Sequence, residues 1–244
     1  MFSVNDEFVH TADDQKINNR NFLKTKFQNF NIGPGIPWDK KEFDPYPWLK
    51  KTEITNSSFI NCQTNGECAI RGGVSVKNVI IESMKCSDVL TISTNALLDN
   101  LVIKGKMDLW IKPDEPAQQG SKKNDYQNRI ANWLSESQKE INCFLDIRDL
   151  EAGEVDIYGI PIEKIKYNPE KMIPIYSKWN KEIDWTSSKF HVGSYWKIRV
   201  RQLSTYNVTC GLVSMPSKND KYYAEAMEEF KYLTEIGILD NLHI

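Results

Sequence analysis

Asn56-Ser57-Ser58-Phe59, Asn78-Val79-Ile80-Ile81 and Asn100-Leu101-Val102-Ile103 are one phrase written three times, 22 residues apart. Outward from this phrase the same interval persists. Cys68 and Ile70 return as Leu90 and Ile92, and Val74 and Val76 return as Ala96 and Leu98. Each couple is an i, i+2 pair, so both members point to one side of an extended segment. Three such couples per period describe short strands whose inward side chains stack on the next turn of chain. A sandwich of hairpins also alternates apolar and polar residues, but its strands need no constant interval. The Asn positions add weight, because Asn tolerates left-handed backbone and stacked amides bond along a ladder.

The expected fold is therefore mainly β: a short parallel β-solenoid of about four coils, with an inserted helix, an N-terminal aromatic cap and a small C-terminal α+β appendage. Residues 1–50 carry no clean period. Gly33-Pro34-Gly35-Ile36-Pro37-Trp38 and Asp44-Pro45-Tyr46-Pro47-Trp48 exclude long regular structure. Their aromatics suit a cap over the open solenoid end, Trp38 and Trp48 packing near the first coil. The solenoid is expected over 51–170, interrupted at about 114–142 by a polar loop and an amphipathic helix near 126–140. Beyond the insertion the couples Leu145/Ile147 and Val155/Ile157 resume, and with residues 114–142 cut out Ile157 falls about one period past Ile103. In the appendage, 171–244, Tyr195 to Leu203 alternates as a strand with Lys197, Arg199 and Arg201 on its wet side. Val208 to Met215 suits another strand. Tyr222 to Glu235 spaces Tyr223, Met227, Phe230 and Leu233 as a helix stopped at Gly237.

A net charge of −2 and pI near 6.0 provide neither a basic field for nucleic acid nor an acidic surface that mimics it. No apolar run is long enough for a membrane helix. The start, Met1 to Glu7, has no basic n-region or apolar h-region. With five cysteines in apolar-periodic positions, the expectation is a cytoplasmic protein with reduced thiols. The phosphate-binding and zinc motifs G-x-G-x-x-G, P-loop, H-E-x-x-H and C-x-x-C do not occur, and His10, His191 and His243 lack ligand spacing. No metal or cofactor is expected. Cys210 with His191 is read as a core thiol and an unrelated histidine, since a reactive thiol needs an exposed, electropositive setting.

One outer face of the stacked strands is expected to gather Arg71, Trp110, Lys112, Asp146 and Arg148 into a binding patch. Arg and Trp are what protein interfaces favour, while glycoside hydrolysis needs a second carboxylate that this register does not supply. Another outer face carries Ser58, Ile80, Val102 and Asp156. Its apolar members call for a cover, either the inserted helix with Trp133 and Leu134 or a partner.

The repeating couples and Asn positions resemble right-handed parallel β-helices, the architecture of pectin-lyase-like enzymes and, in squarer form, of pentapeptide-repeat proteins. The resemblance covers about 56–112 and 143–167 and implies an architecture only. The functional expectation is a non-enzymatic module that binds another protein, as a bacterial immunity or regulatory protein blocking its partner through a solenoid face. The alternatives are a carbohydrate-active enzyme using Asp146 with Lys112 or Arg148, and a structural or adaptor subunit of a phage or secretion assembly.

Overall fold

The computed structural model describes residues 16–33, 52–113, 132–219 and 221–239. They are mainly strands, and the chain passes repeatedly between two largely parallel sheets. Residues 16–33 supply β1 (Lys16–Asn18), β2 (Asn21–Leu23), β3 (Lys26–Phe27) and β4 (Phe30–Ile32). The next passes supply β5 (Glu53–Ile60), β6 (Gln63–Thr64) and β7 (Cys68–Ile70), then β8 (Ser75–Glu82) and β9 (Leu90–Ser93), then β10 (Leu97–Lys106) and β11 (Leu109–Lys112). Beyond the insertion come β12 (Leu145–Asp146), β13 (Leu150–Glu151), β14 (Val155–Tyr158), β15 (Ile165–Lys166), β16 (Met172–Tyr176) and β17 (Cys210–Ser214). The first sheet runs β1-β5-β8-β10-β12-β15, with β2 beside β5 and β13 beside β10. The second runs β16-β17-β14-β11-β9-β7-β4.

Register follows the sequence interval. Phe22 pairs with Phe59, Phe59 with Ile81, and Ile81 with Ile103, so the repeated apolar residue forms one column. In the second sheet Ile32, Ile70, Ile92, Ile111 and Ile157 form another. Both columns face a common dry cluster, in which Phe59, Ile81, Ile92, Ile103 and Ile111 have no exposed surface. Each such side chain contributes about 1.5–3 kcal/mol by leaving water. Phe22 and Phe59 stack at 5.0 Å and Phe30 meets Phe59 edge-on at 4.9 Å, filling the N-terminal end of a core that is mainly aliphatic further along.

The corners are as regular as the strands. Asn56, Asn78 and Asn100 have φ of 48°, 52° and 60°. The Asn78 Nδ2 donates to Asn56 Oδ1 and the Asn100 Nδ2 to Asn78 Oδ1, each at 3.1 Å. Asn19, at φ 53°, opens the same line, its N–H donating to Thr55 O. A second left-handed line runs through Lys24, Asn61, Ser83 and Gly105.

Several expectations change. Residues 16–32, taken with the cap, are strands that pair in parallel with β5, β6 and β7. Their couples Phe22, Phe27 and Phe30 are spaced as in the next pass, but the stretch between Gly33 and Thr52 breaks the interval that would have shown it. Trp38 and Trp48 lie outside the described residues. Of the inserted helix, 132–137 is helical and the part before 132 is outside the described residues. Leu134 lines a cavity with Ala96, Leu98 and Phe144, away from Ile80, which keeps 37 % exposure.

The segment Tyr195–Tyr206 is a helix rather than a strand. The helices of the C-terminal part are α1 (Trp179–Glu182), α2 (Tyr195–Tyr206) and α3 (Tyr223–Glu235). The Ser194 hydroxyl accepts from Lys197 N–H at the start of α2, and Asn207 closes it in left-handed geometry. Trp196, Val200 and Leu203 are its buried stripe at i, i+4 and i+7, and Ile198 faces out at 46 % exposure. The sequence alternation was a coincidence of that stripe with Ile198. By contrast α3 and β17 occur where expected.

β17 lies antiparallel between β14 and β16, so the C-terminal residues continue the second sheet. Leu212 of β17 points into the inner cluster and Val213 into a second cluster with Tyr158, Ile173, Trp196, Phe230 and Leu233. The sheet is thus covered on both faces at this end, and α2 is packed on its outer side.

Candidate functional site

The outer side of the second sheet is a single row: Asn31, Ala69, Thr91, Trp110, Asp156 and Val213 are successive partners across the strands. Trp110 and Lys112 occupy this face, as expected. Arg71 follows β7, two strand spacings from Lys112, on the order of 10 Å. Its Nε donates to Asn31 Oδ1 at 3.1 Å and its guanidinium pairs with Glu67.

Asp146 and Arg148 are elsewhere. Asp146 stands between Val102 and Lys166 in the first sheet, and Arg148 grips it through Nε at 3.0 Å and Nη2 at 2.7 Å. Those hydrogen bonds hold the Asp146 carboxyl below its ordinary range, which makes it a poor proton donor for glycoside cleavage. The correction has a simple cause. The insertion leaves from the second sheet after Lys112 and returns to the first at Leu145, whereas the sequence reading resumed in the strand it had left. That slip of one strand exchanged the two aspartates: Asp146 joins Ser58, Ile80 and Val102, and Asp156 takes the place beside Trp110.

At Asp156 the sheet passes under α2. Arg199 of α2 reaches down so that its Nε lies 3.2 Å from Asp156 Oδ1, and an Nη2 contact of 3.1 Å joins it to Glu154. The guanidinium lies over the Tyr195 ring at 4.2 Å, and the Tyr195 hydroxyl donates to Ser214 O at 2.7 Å. Tyr158 is 3 % exposed, its ring 5.3 Å from that of Tyr206. Between β11, β14 and α2 lies a recess of about 140 Å³, with Lys112 and Gln202 among the residues that line it and the Lys112 ammonium 5.5 Å from the Trp110 ring.

Among the described residues, four buried polar atoms of the side chains lining this recess meet no aligned hydrogen-bond partner: Trp110 Nε1, Asp156 Oδ1, Tyr158 Oη and Arg199 Nε. Asp156 and Arg199 are at ion-pair distance but out of hydrogen-bond alignment. Burial pushes the Asp156 carboxyl up to about 6; the Arg199 charge opposes that rise, Glu154 adds to it, and the nearby Tyr158 hydroxyl opposes it. Burial also raises the Tyr158 phenol. For Arg199 burial acts downward, but Asp156, Tyr195, Tyr158 and Glu154 outweigh it and hold the guanidinium above its usual value.

An unsatisfied buried polar group costs about 1–3 kcal/mol. Asp156 Oδ1 and Arg199 Nε offset each other as an ion pair, which leaves the Trp110 indole and the Tyr158 hydroxyl to set against the roughly 5–15 kcal/mol that holds a domain folded. Such a concentration makes the recess the candidate site. Chemically it offers donors from Trp110, Tyr158, Arg199 and Lys112, acceptors from Asp156 and the Gln202 amide, and an aromatic wall. Among the described residues no three His, Cys, Asp or Glu side chains are grouped to hold a metal ion. No described helix is long and apolar enough to cross a membrane. No family model, curated protein or solved structure matches this chain.

Sequence reasoning placed Trp110 and Lys112 on this face and did not place Asp156, Tyr158 or Arg199 beside them. A signal existed for Arg199: on a helix, Tyr195, Arg199, Gln202 and Tyr206 share one face at i, i+4, i+7 and i+11.

Proposed function

We propose that the two sheets form a short parallel β-solenoid, and that the outer face of its second sheet binds another protein. In this reading the chain is a non-enzymatic immunity or regulatory protein of the cytoplasm, occluding its partner through the row that contains Trp110. The observation that carries the reading is Trp110 itself: a half-buried indole at the lip of the recess, its N–H unbonded, with Lys112 and Arg71 along the same face. Interfaces concentrate their energy in Trp, Tyr and Arg anchors beside pockets that exclude water. The five free thiols accord with a reducing compartment.

Affinity capture from the native host, read by mass spectrometry, tests this with three variants. Trp110→Ala and the Arg71→Ala/Trp110→Ala pair should weaken capture of one protein by about tenfold or more, a loss typical of an interface anchor. Arg148→Ala, on the first sheet, should leave it unchanged. Equal capture by all variants, each shown folded by circular dichroism, would remove the second-sheet face as the binding surface.

A further inference from the structure

The recess beside Trp110 has a hydrogen-bonding pattern that narrows what enters it. Its unbonded atoms are three donors, the Trp110 indole N–H, the Tyr158 hydroxyl and the Arg199 Nε–H, and one acceptor, Asp156 Oδ1. Tyr158 is almost wholly buried, so its hydroxyl cannot turn to bulk water. The charges around the recess balance, Arg199 from α2 and Lys112 from β11 against Glu154 and Asp156, with Tyr195 and Tyr206 of α2 and Tyr158 as the neutral titratable groups around them. Val213, the neighbour on the other side, is apolar.

An ammonium or guanidinium entering here would meet Asp156, but also Arg199 and Lys112. A carboxylate would satisfy the three donors, yet it would press against Asp156 unless that residue first took up a proton. A primary carboxamide needs neither adjustment. Its oxygen has two lone pairs for the Trp110 and Tyr158 donors, Arg199 Nε already facing Asp156 at 3.2 Å, and its NH₂ can donate to Asp156 Oδ1. We infer that the recess is a subsite for a carboxamide, supplied by an Asn or Gln side chain of the bound protein. This deepens the protein-binding reading by naming the group that anchors beside Trp110.

The charge state of Asp156 gives the test its contrast. Above pH 6 the carboxyl is ionised and should exclude a carboxylate while still accepting from an amide. The indole N–H resonance of Trp110 reports directly, and Trp110→Phe assigns it among the seven tryptophans. Wild-type protein is titrated with acetamide and, separately, with acetate, at pH 5 and at pH 7.5. Acetamide should shift the Trp110 signal at both pH values, with a dissociation constant on the order of 1–100 mM for so small a probe. Acetate should shift it several-fold less at pH 7.5 than at pH 5, and Asp156→Asn should abolish that difference.

Acetate acting as strongly as acetamide at pH 7.5 would overturn the inference, and so would a signal that neither probe moves. The two readings fail separately. Loss of partner capture in Trp110→Ala with no acetamide response leaves protein binding standing without the carboxamide. An acetamide response with capture unchanged does the reverse.

Discussion

Asn78 sits between two other amides, donating to Asn56 and accepting from Asn100, with its backbone in the left-handed region. The two contributions can be separated. Asn78→Gly removes the amide and keeps a backbone that glycine adopts freely; Asn78→Ala removes the amide but keeps the β-carbon, in a region that costs a residue without such a side chain about 1–2 kcal/mol. Urea unfolding should therefore show a loss of about 1 kcal/mol for Gly and about 2–3 kcal/mol for Ala. An Ala variant as stable as the Gly variant would show that the backbone conformation contributes nothing. These corners were legible because the interval and the residue type coincide: few side chains tolerate φ near 50°, so Asn recurring every 22 residues carries conformation and register together. Asp156 was illegible for the opposite reason. Between Val155 and Ile157 it reads as any outward polar residue, and its burial comes from α2, some forty residues later in the chain.

Helix α2 is where local pattern and tertiary placement part company. Trp196, Ile198 and Val200 alternate as a strand would, and the caps at Ser194 and Asn207, either of which could have marked a helix, lie just outside that alternation. The insertion misled in another way. Apolar couples are nearly interchangeable between the two sheets, so a break long enough to change sheets leaves no trace of which one the chain rejoins. What fixes α2 in place is Glu229 of α3, 1 % exposed, whose carboxylate accepts from Ser194 Oγ at 2.7 Å and from His191 N–H at 2.9 Å. Ser194 in turn caps α2 through Lys197 N–H, so one buried carboxylate ties the two helices at the start of the element that carries Arg199. Glu229→Ala strands the buried Ser194 hydroxyl and removes the acceptor of the His191 N–H, and should lower unfolding free energy by about 1–3 kcal/mol. Glu229→Gln keeps one acceptor and should lose about half as much. Chemical denaturation followed by near-ultraviolet dichroism reads both; two variants with wild-type stability would show that the carboxylate does not hold α2.

Two aspartates on opposite sheets pull the stability of the protein in opposite directions with pH. Asp146 is held ionised by Arg148, so its folded value lies below 3.8; its contribution is present above the unfolded value and is lost as pH falls through the folded one. Asp156 is displaced the other way, to about 6, by burial. Between its unfolded value of 3.8 and about 6 the folded chain binds the extra proton, so stability falls as pH rises through this window and is level above it. Two units of displacement correspond to at most about 3 kcal/mol. The side chain is only 15 % exposed, so solvent screening leaves most of that effect in place. The comparison that isolates it is wild type against Asp156→Asn, with urea unfolding measured at half-unit steps from pH 3.5 to 7.5. Their difference in unfolding free energy should change by about 2–3 kcal/mol between pH 4 and 6, in the direction that favours the variant as pH rises, and stay constant from there to pH 7.5. Asp146→Asn against wild type should instead change below pH 4, favouring the variant as pH falls. A difference curve for Asp156→Asn that is flat across the whole range would mean that the carboxyl ionises as freely in the fold as in the unfolded chain, and the recess would then be neither dry nor poised to distinguish an amide from a carboxylate.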